Sequence, residues 1–178
     1  MSDAVPSRHE HGGVAVHGVF AGSRAMTRVR DAVAGDIAFI VEANLAMARE
    51  TEQKALDPDV LRAGVTAVIA DPARGFYLVA EHDGGAVGCL LITREWSDWR
   101  NRDWWWLQSV YVVASARRTG VFRALHAEVE RRAAAAGSAG IRLYVDADNE
   151  RAKATYRALG MHGARYEMFE RASAAGGS

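Results

Sequence analysis

Between Ser109 and Leu125 the chain passes directly from a β-rich run into an amphipathic helix by way of a short basic loop. Ser109-Val110-Tyr111-Val112-Val113 reads as the end of a strand. Ala114-Ser115-Ala116-Arg117-Arg118-Thr119-Gly120 breaks it, and Val121, Leu125, Val129 and Ala133 then recur at helical spacing. A helix start leaves backbone N–H groups unpaired and carries the positive end of the helix dipole, so it attracts anions. Gly120 lets a ligand approach the backbone closely, while Arg117, Arg118 and Arg123 add charge. A diphosphate suits such a turn, and a merely solvated arginine cluster is the alternative. The loop is not a P-loop, since no Gly-Lys-Ser/Thr follows, and its single glycine excludes a dinucleotide fingerprint.

The remaining chain alternates between strand and helix patterns. Residues 27–33 read as a short edge strand. Asp36 precedes a helix carrying Ile37, Ile40, Val41, Leu45 and Ala48. Asp57-Pro58 opens a second helix, with Val60, Leu61, Val65, Val68 and Ile69 expected to face inward. Residues 75–81 and 86–93 are β-rich and joined by His82-Asp83-Gly84-Gly85, a tight-hairpin signal. A tryptophan-containing loop leads to the longest strand, residues 104–113, and then to a helix over residues 120–136. A strand over 141–145, a helix capped by Asp148 or Asn149 and closed by Gly160, and a last strand over 162–170 complete the order. This β-α-α-β-β-β-α-β-α-β order predicts an α/β fold: a mixed sheet covered by helices on both faces.

At 178 residues the chain suits one domain with its own core. Residues 1–25 are rich in small residues and His, and read as a disordered extension; residues 172–178 read as a flexible tail, leaving residues 26–171 as the folded domain. His9, His11 and His17 fall in that extension without supporting partners, so no metal site is expected. Lys plus Arg and Asp plus Glu are 22 each, which disfavours a nucleic-acid partner. No apolar run approaches the roughly 20 residues that span a bilayer, so no membrane partner is expected. The one cysteine, Cys89, suits a cytoplasmic location.

A second spaced pattern follows the fifth expected strand: Asn149, Ala152, Tyr156, Leu159, Gly160 and Met161. Together with Arg117-x-x-Gly120-x-Phe122, and with the element order, it resembles the GNAT N-acetyltransferase superfamily over about residues 27–170. Phe122 departs from that family, which has Gly or Ala there, so its ring must turn away or the diphosphate must shift. The resemblance implies an acetyl-CoA-dependent N-acetyltransferase with a splayed sheet, whose gap between residues 104–113 and 141–145 receives the pantetheine arm. Val110, Tyr111 and Val112 would pair with the pantetheine amides, and Arg117, Arg118, Thr119, Gly120, Val121, Phe122 and Arg123 would hold the diphosphate. Asn149 would contact the pantetheine or steady the splay; capping the next helix is its alternative role.

The implied reaction is direct attack of a neutral amine on the thioester in a ternary complex. A backbone N–H near Val110 suits the oxyanion. Tyr156 is the candidate acid for the leaving thiolate, with a core aromatic role as the alternative. The base is open among Glu95, Asp98, Glu50, Glu52 and a water relay, because the family's strand positions hold Tyr144 and Gln108 here. Cys89 or Ser109 as a covalent nucleophile lacks an evident partner. Strand alternation puts Trp104 and Trp106 on one face with Gln108, and Trp105 on the other. Their rings beside Glu95 and Asp98 would receive a cationic small-molecule amine through cation–π contact, or would pack the sheet or a homodimer face. Protein or peptide acetylation and a non-catalytic acyl-CoA sensor are the rival functions.

Overall fold

A computed structural model describes residues 27–171. The expected extension over residues 1–25, with its histidines, and the tail over 172–178 lie outside the described residues. Strands β1 (Arg28–Asp31), β2 (Phe76–His82), β3 (Gly85–Ser97), β4 (Arg102–Val112) and β5 (Gly140–Leu143) form one sheet in the order β1-β2-β3-β4-β5. The first four are antiparallel neighbours, and β4 runs parallel to β5. The β2–β3 turn has Asp83 at φ 49° and Gly84 at φ 81°, the backbone that a two-residue hairpin requires.

Helices α1 (Ile37–Met47) and α2 (Pro58–Ala70) cover one face, and α3 (Val121–Ala135) covers the other. Period-two alternation divides the sheet's side chains between them. Tyr77, Val79, Cys89 and Leu91 meet Ile40, Val41, Ala43 and Val65 on the first face. Leu78, Ala80, Leu90, Ile92, Trp105 and Leu107 meet Val121, Leu125, Val129 and Ala133 on the second, so the α3 stripe read from the sequence is the stripe that is buried. The fourth helix, α4 (Glu150–Ala158), starts at Asn149, whose side chain accepts a hydrogen bond from the Ala152 N–H at 3.0 Å.

Three expectations fail. β3 runs on to Ser97, paired with β4, so the start of the expected tryptophan-containing loop is strand and β3, not β4, is the longest. Val60 is 69% exposed, because it stands one residue off the Leu61/Val65/Val68 stripe of α2. Residues 162–170 form no strand: beyond Gly160 (φ 82°) the chain meets no sheet edge, and every residue from 162 to 171 is exposed. Strand propensity makes a strand only where a ladder partner is present.

Candidate active site

The sheet opens where β4 bulges. Cys89 stands opposite Tyr111 and Leu91 opposite Gln108, so Ser109 and Val110 together face the single residue Leu90. Ser109 adopts φ 49° to accommodate the extra residue. On its other side β4 is in register with β5 only from Trp104/Gly140 to Leu107/Leu143. From Gln108 onward that edge has no strand partner among the described residues, which leaves the backbone of Val110, Tyr111 and Val112 beside a gap. The ladder is tight at its other end: Gly140, at φ 145°, lies so close to Trp104 that an added Cβ would meet the ring at 2.5 Å.

At the C-terminal end of β4 the basic loop builds an anion cleft. Arg118 (φ 65°) and Gly120 (φ 98°) both take left-handed backbone, in the kind of turn that makes N–H groups converge. Space over Gly120 is open to 4 Å, and the first turn of α3 carries no acidic residue. Ala114, Arg117, Arg118 and Arg151 line a cleft of about 390 Å³. Arg151, at the start of α4, went unnoticed in the sequence because only the fold brings it to the Arg118 loop. Thr119 donates its hydroxyl hydrogen bond to the Ala116 carbonyl at 2.7 Å, which tightens the turn.

Arg117 is also committed elsewhere. Its Nε donates to the Val112 carbonyl at 2.9 Å and its Nη2 to Glu50 at 2.6 Å, and Tyr111 Oη donates to the same carboxylate at 3.0 Å. Glu50 lies in a π-helical turn, Ala48–Glu52, that continues α1. Hydrogen bonding by Arg117 holds the Glu50 carboxyl below its usual value, so Glu50 is a poor base. The side chain of Glu52 lies outside the described residues.

Tyr156 packs edge-on against Phe122, ring centroids 5.8 Å apart, and Phe122 also meets His126 at 6.0 Å. The Phe122 ring therefore turns toward α4. Burial raises the Tyr156 phenol above 10.0 and keeps it protonated. Cys89 is fully buried and its thiol is pushed up to about 12 by that burial, which argues against a thiolate nucleophile.

The tryptophans divide as alternation requires, but Trp104 and Trp106 already hold a cation. The Arg142 guanidinium lies 4.0 Å from the Trp104 ring centre and 5.7 Å from that of Trp106. Its charge meets Glu95 at 3.1 Å, and Trp106 Nε1 donates to the same carboxylate at 2.5 Å. Tyr144 stacks on Trp106 at 4.5 Å. The expected receptor for a cationic amine is thus filled from within by Arg142. Asp98 accepts the Trp99 N–H at 2.9 Å and stays exposed.

A parting strand pair stands with an arginine-lined glycine turn at its mouth: converging amides and guanidinium groups suit a diphosphate, and an unpaired strand edge suits an extended amide-bearing chain. The pattern of the acetyltransferase (GNAT) family matches residues 38–161, and the chain belongs to that family. It shares 39% identity with a possible acetyltransferase from Clostridium difficile 630, at a TM-score of 0.78, with 83% of this chain and 98% of that one covered. The aminoglycoside acetyltransferase AAC(6')-Iy, solved with a bisubstrate analogue of CoA and acetylneamine, has the same fold at 17% identity and a TM-score of 0.69, covering 84% of this chain and 99% of its own. No curated protein matches the sequence. Among the described residues no helix is long and apolar enough to cross a membrane.

Proposed function

We propose that the chain transfers the acetyl group of acetyl-CoA to a primary amine of a small molecule, with both substrates bound at once. The observation that carries this reading is the parting of β4 from β5 after Leu107 and Leu143, directly beside the Ser109 bulge and the Arg118–Gly120 turn. Acetyl-CoA, when bound, supplies a thioester carbonyl open to attack by a neutral amine. Arg118, Arg151 and the amides from Thr119 to Arg123 hold the diphosphate, while the edge at Val110–Val112 pairs with the amide-bearing arm. Asn149 acts from its capping position at the head of α4, where it orders the helix that carries Arg151 and Tyr156.

The N–C bond forms first and the amine nitrogen loses a proton to water; as the C–S bond then breaks, Tyr156 donates its proton to the departing sulfur and is reprotonated through the same water. Burial raises the Tyr156 phenol, so it stays protonated and can donate once the thiolate departs. Glu50 and Glu95 are held by arginines, which favours a water relay over a dedicated carboxylate base. The small-molecule reading draws support from the fold shared with aminoglycoside acetyltransferases.

The test is coenzyme A release with a panel of polyamines, aminoglycosides, amino acids and peptides. Turnover on a free small amine is the expected result. Turnover restricted to peptide N-termini or lysines overturns the acceptor assignment. Binding of acetyl-CoA without turnover of any acceptor overturns the catalytic one.

A further inference from the structure

The sheet face that holds Trp104 and Trp106 carries hydrogen-bond donors for which the described chain supplies no acceptor. Arg142 lies across both indoles, 4.0 Å from the Trp104 ring centre and 5.7 Å from that of Trp106. Only its Nη1 is engaged, at 3.1 Å from each oxygen of Glu95. Trp106 Nε1 donates to the same carboxylate at 2.5 Å, so the acceptor capacity of Glu95 is largely taken up. Among the described residues Nε and Nη2 of Arg142 have no partner, and the buried Trp104 Nε1 has none either. A second guanidinium, that of Arg100, lies 5.1 Å from the Trp104 ring centre. Glu95 is the only carboxylate bonded to either arginine among the described residues.

Position gives this shelf its use. Arg142 stands beside Trp106 in the β4–β5 register, one residue before the ladder ends at Leu107 and Leu143. Gln108, the next residue on that face of β4, already borders the gap. Two strand steps, about 7 Å, therefore separate the Arg142 position from the opening. Tyr144, stacked on Trp106 at 4.5 Å, stands at the same opening. The two indoles fix the plane of the Arg142 guanidinium, and Glu95 holds its Nη1 corner. The edge left over, Nε with Nη2, presents two parallel N–H groups, a fork that matches a planar carboxylate. The Arg142 side chain keeps 31% of its surface open to solvent. An acceptor bearing only positive charge meets like charge here, whereas one bearing an acid group meets donors in need of an acceptor.

Given acetyl transfer to an amine, the reading on which this assignment rests, we propose that the acceptor is a small amino acid: a primary amine whose own carboxylate is gripped by the Nε–Nη2 edge of Arg142 while the amine reaches the strand gap. Arg142 is then a specificity residue and takes no part in moving the acetyl group. A carboxylate brings one negative charge to the one guanidinium edge that is free, where a phosphate monoester brings nearly two.

The test is coenzyme A release with β-alanine and 4-aminobutyrate, each beside the alkylamine that loss of its carboxylate leaves, ethylamine and propylamine. In the parent chain kcat/KM is expected to favour the acids about 10- to 100-fold, the size of a charge-assisted pair of hydrogen bonds. Arg142→Gln is expected to bring that ratio close to one through a higher KM for the acid. Arg142→Lys keeps the charge without the fork and is expected to fall between. Acetyl-CoA binding by calorimetry shows that each variant is folded, and Arg142→Lys decides if Arg142→Gln is not. Alkylamines turned over as well as the acids overturn the proposal and leave acetyl transfer standing, and a preference that survives Arg142→Gln overturns it too. Faster turnover of phosphoethanolamine than of β-alanine overturns the carboxylate assignment. If 4-aminobutyrate quenches tryptophan fluorescence in the parent but not in Arg142→Gln, and no coenzyme A is released, the acid site stands and acetyl transfer falls. Neither binding nor turnover of any of these amines overturns the acid site.

Discussion

Phe122, at the second position of α3, meets Tyr156 of α4 edge-on, with ring planes inclined at 70° and centroids 5.8 Å apart. The contact holds the phenol in a partly buried position and raises its pKa by desolvation. Tyr156→Phe keeps the ring packing and removes only the proton. Its kcat for coenzyme A release should fall about 100-fold while KM for acetyl-CoA stays nearly constant. Because the raised pKa keeps the donor protonated through the neutral range, the limb of the pH–rate profile that it governs lies on the alkaline side and should vanish in the variant.

The anion cleft is tested by charge removal. Arg118→Ala and Arg151→Ala should each weaken acetyl-CoA binding about 10-fold by calorimetry, the loss of one charge-assisted contact. Acetyl-pantetheine, which has no diphosphate, should bind the variants and the parent chain alike. Equal weakening of both ligands would mean that the arginines act on the fold instead.

Glu50 and Glu95 are each bound to an arginine, Glu50 to Arg117 at 2.6 Å and Glu95 to Arg142 at 3.1 Å. Glu50→Gln and Glu95→Gln should therefore retain most of the parent kcat at neutral pH. A general base contributes about 10²- to 10⁴-fold, so a loss of that size in either variant would identify the base and refute the water relay.

Gly140 begins β5 at the end of the β4–β5 ladder away from the strand gap, under the Trp104 ring. Gly140→Ala combines a left-side backbone at φ 145° with a Cβ 2.5 Å from that ring. It should cost about 3 kcal/mol in urea unfolding and shift tryptophan fluorescence. An unshifted spectrum with unchanged stability would show that Trp104 is free to move.

Asp36 anchors β1 to α1. Arg30 reaches it with both terminal nitrogens, at 2.7 and 2.9 Å, and the Val33 N–H donates to it at 2.8 Å. The Arg30 hydrogen bonds hold this carboxyl below 3.8. Stability from a depressed carboxyl is complete above its unfolded pKa and drains as pH falls through the folded one. Arg131 and Arg132 hold Glu128 at about 2, so it drains in the same acid window. The melting temperature should be flat down to about pH 5 and drop below about pH 4. Asp36→Asn should cost about 2 kcal/mol at neutral pH, discounted for the partial exposure of Arg30, and should flatten the acid slope.

Local physics made much of this chain legible without coordinates. The α3 stripe, the Asp83-Gly84 turn, the Asp57-Pro58 start of α2, the cap at Asp148 or Asn149 and the left-handed Gly160 all follow from neighbouring residues, so pattern and propensity sufficed. The two spaced motifs carried the family for the same reason. Tertiary structure alone decided the rest. It brought Arg151 to the Arg118 loop, tied Glu50 to Arg117 across 67 positions, and laid Arg142 over the tryptophans that were expected to receive a substrate cation. It also left residues 162–170, strand-like in pattern, without a ladder on their own chain. Spacing along a chain reports which side chains share one element. Which charge neutralises which, and which edge a strand finds, depends on elements far apart in sequence packing together.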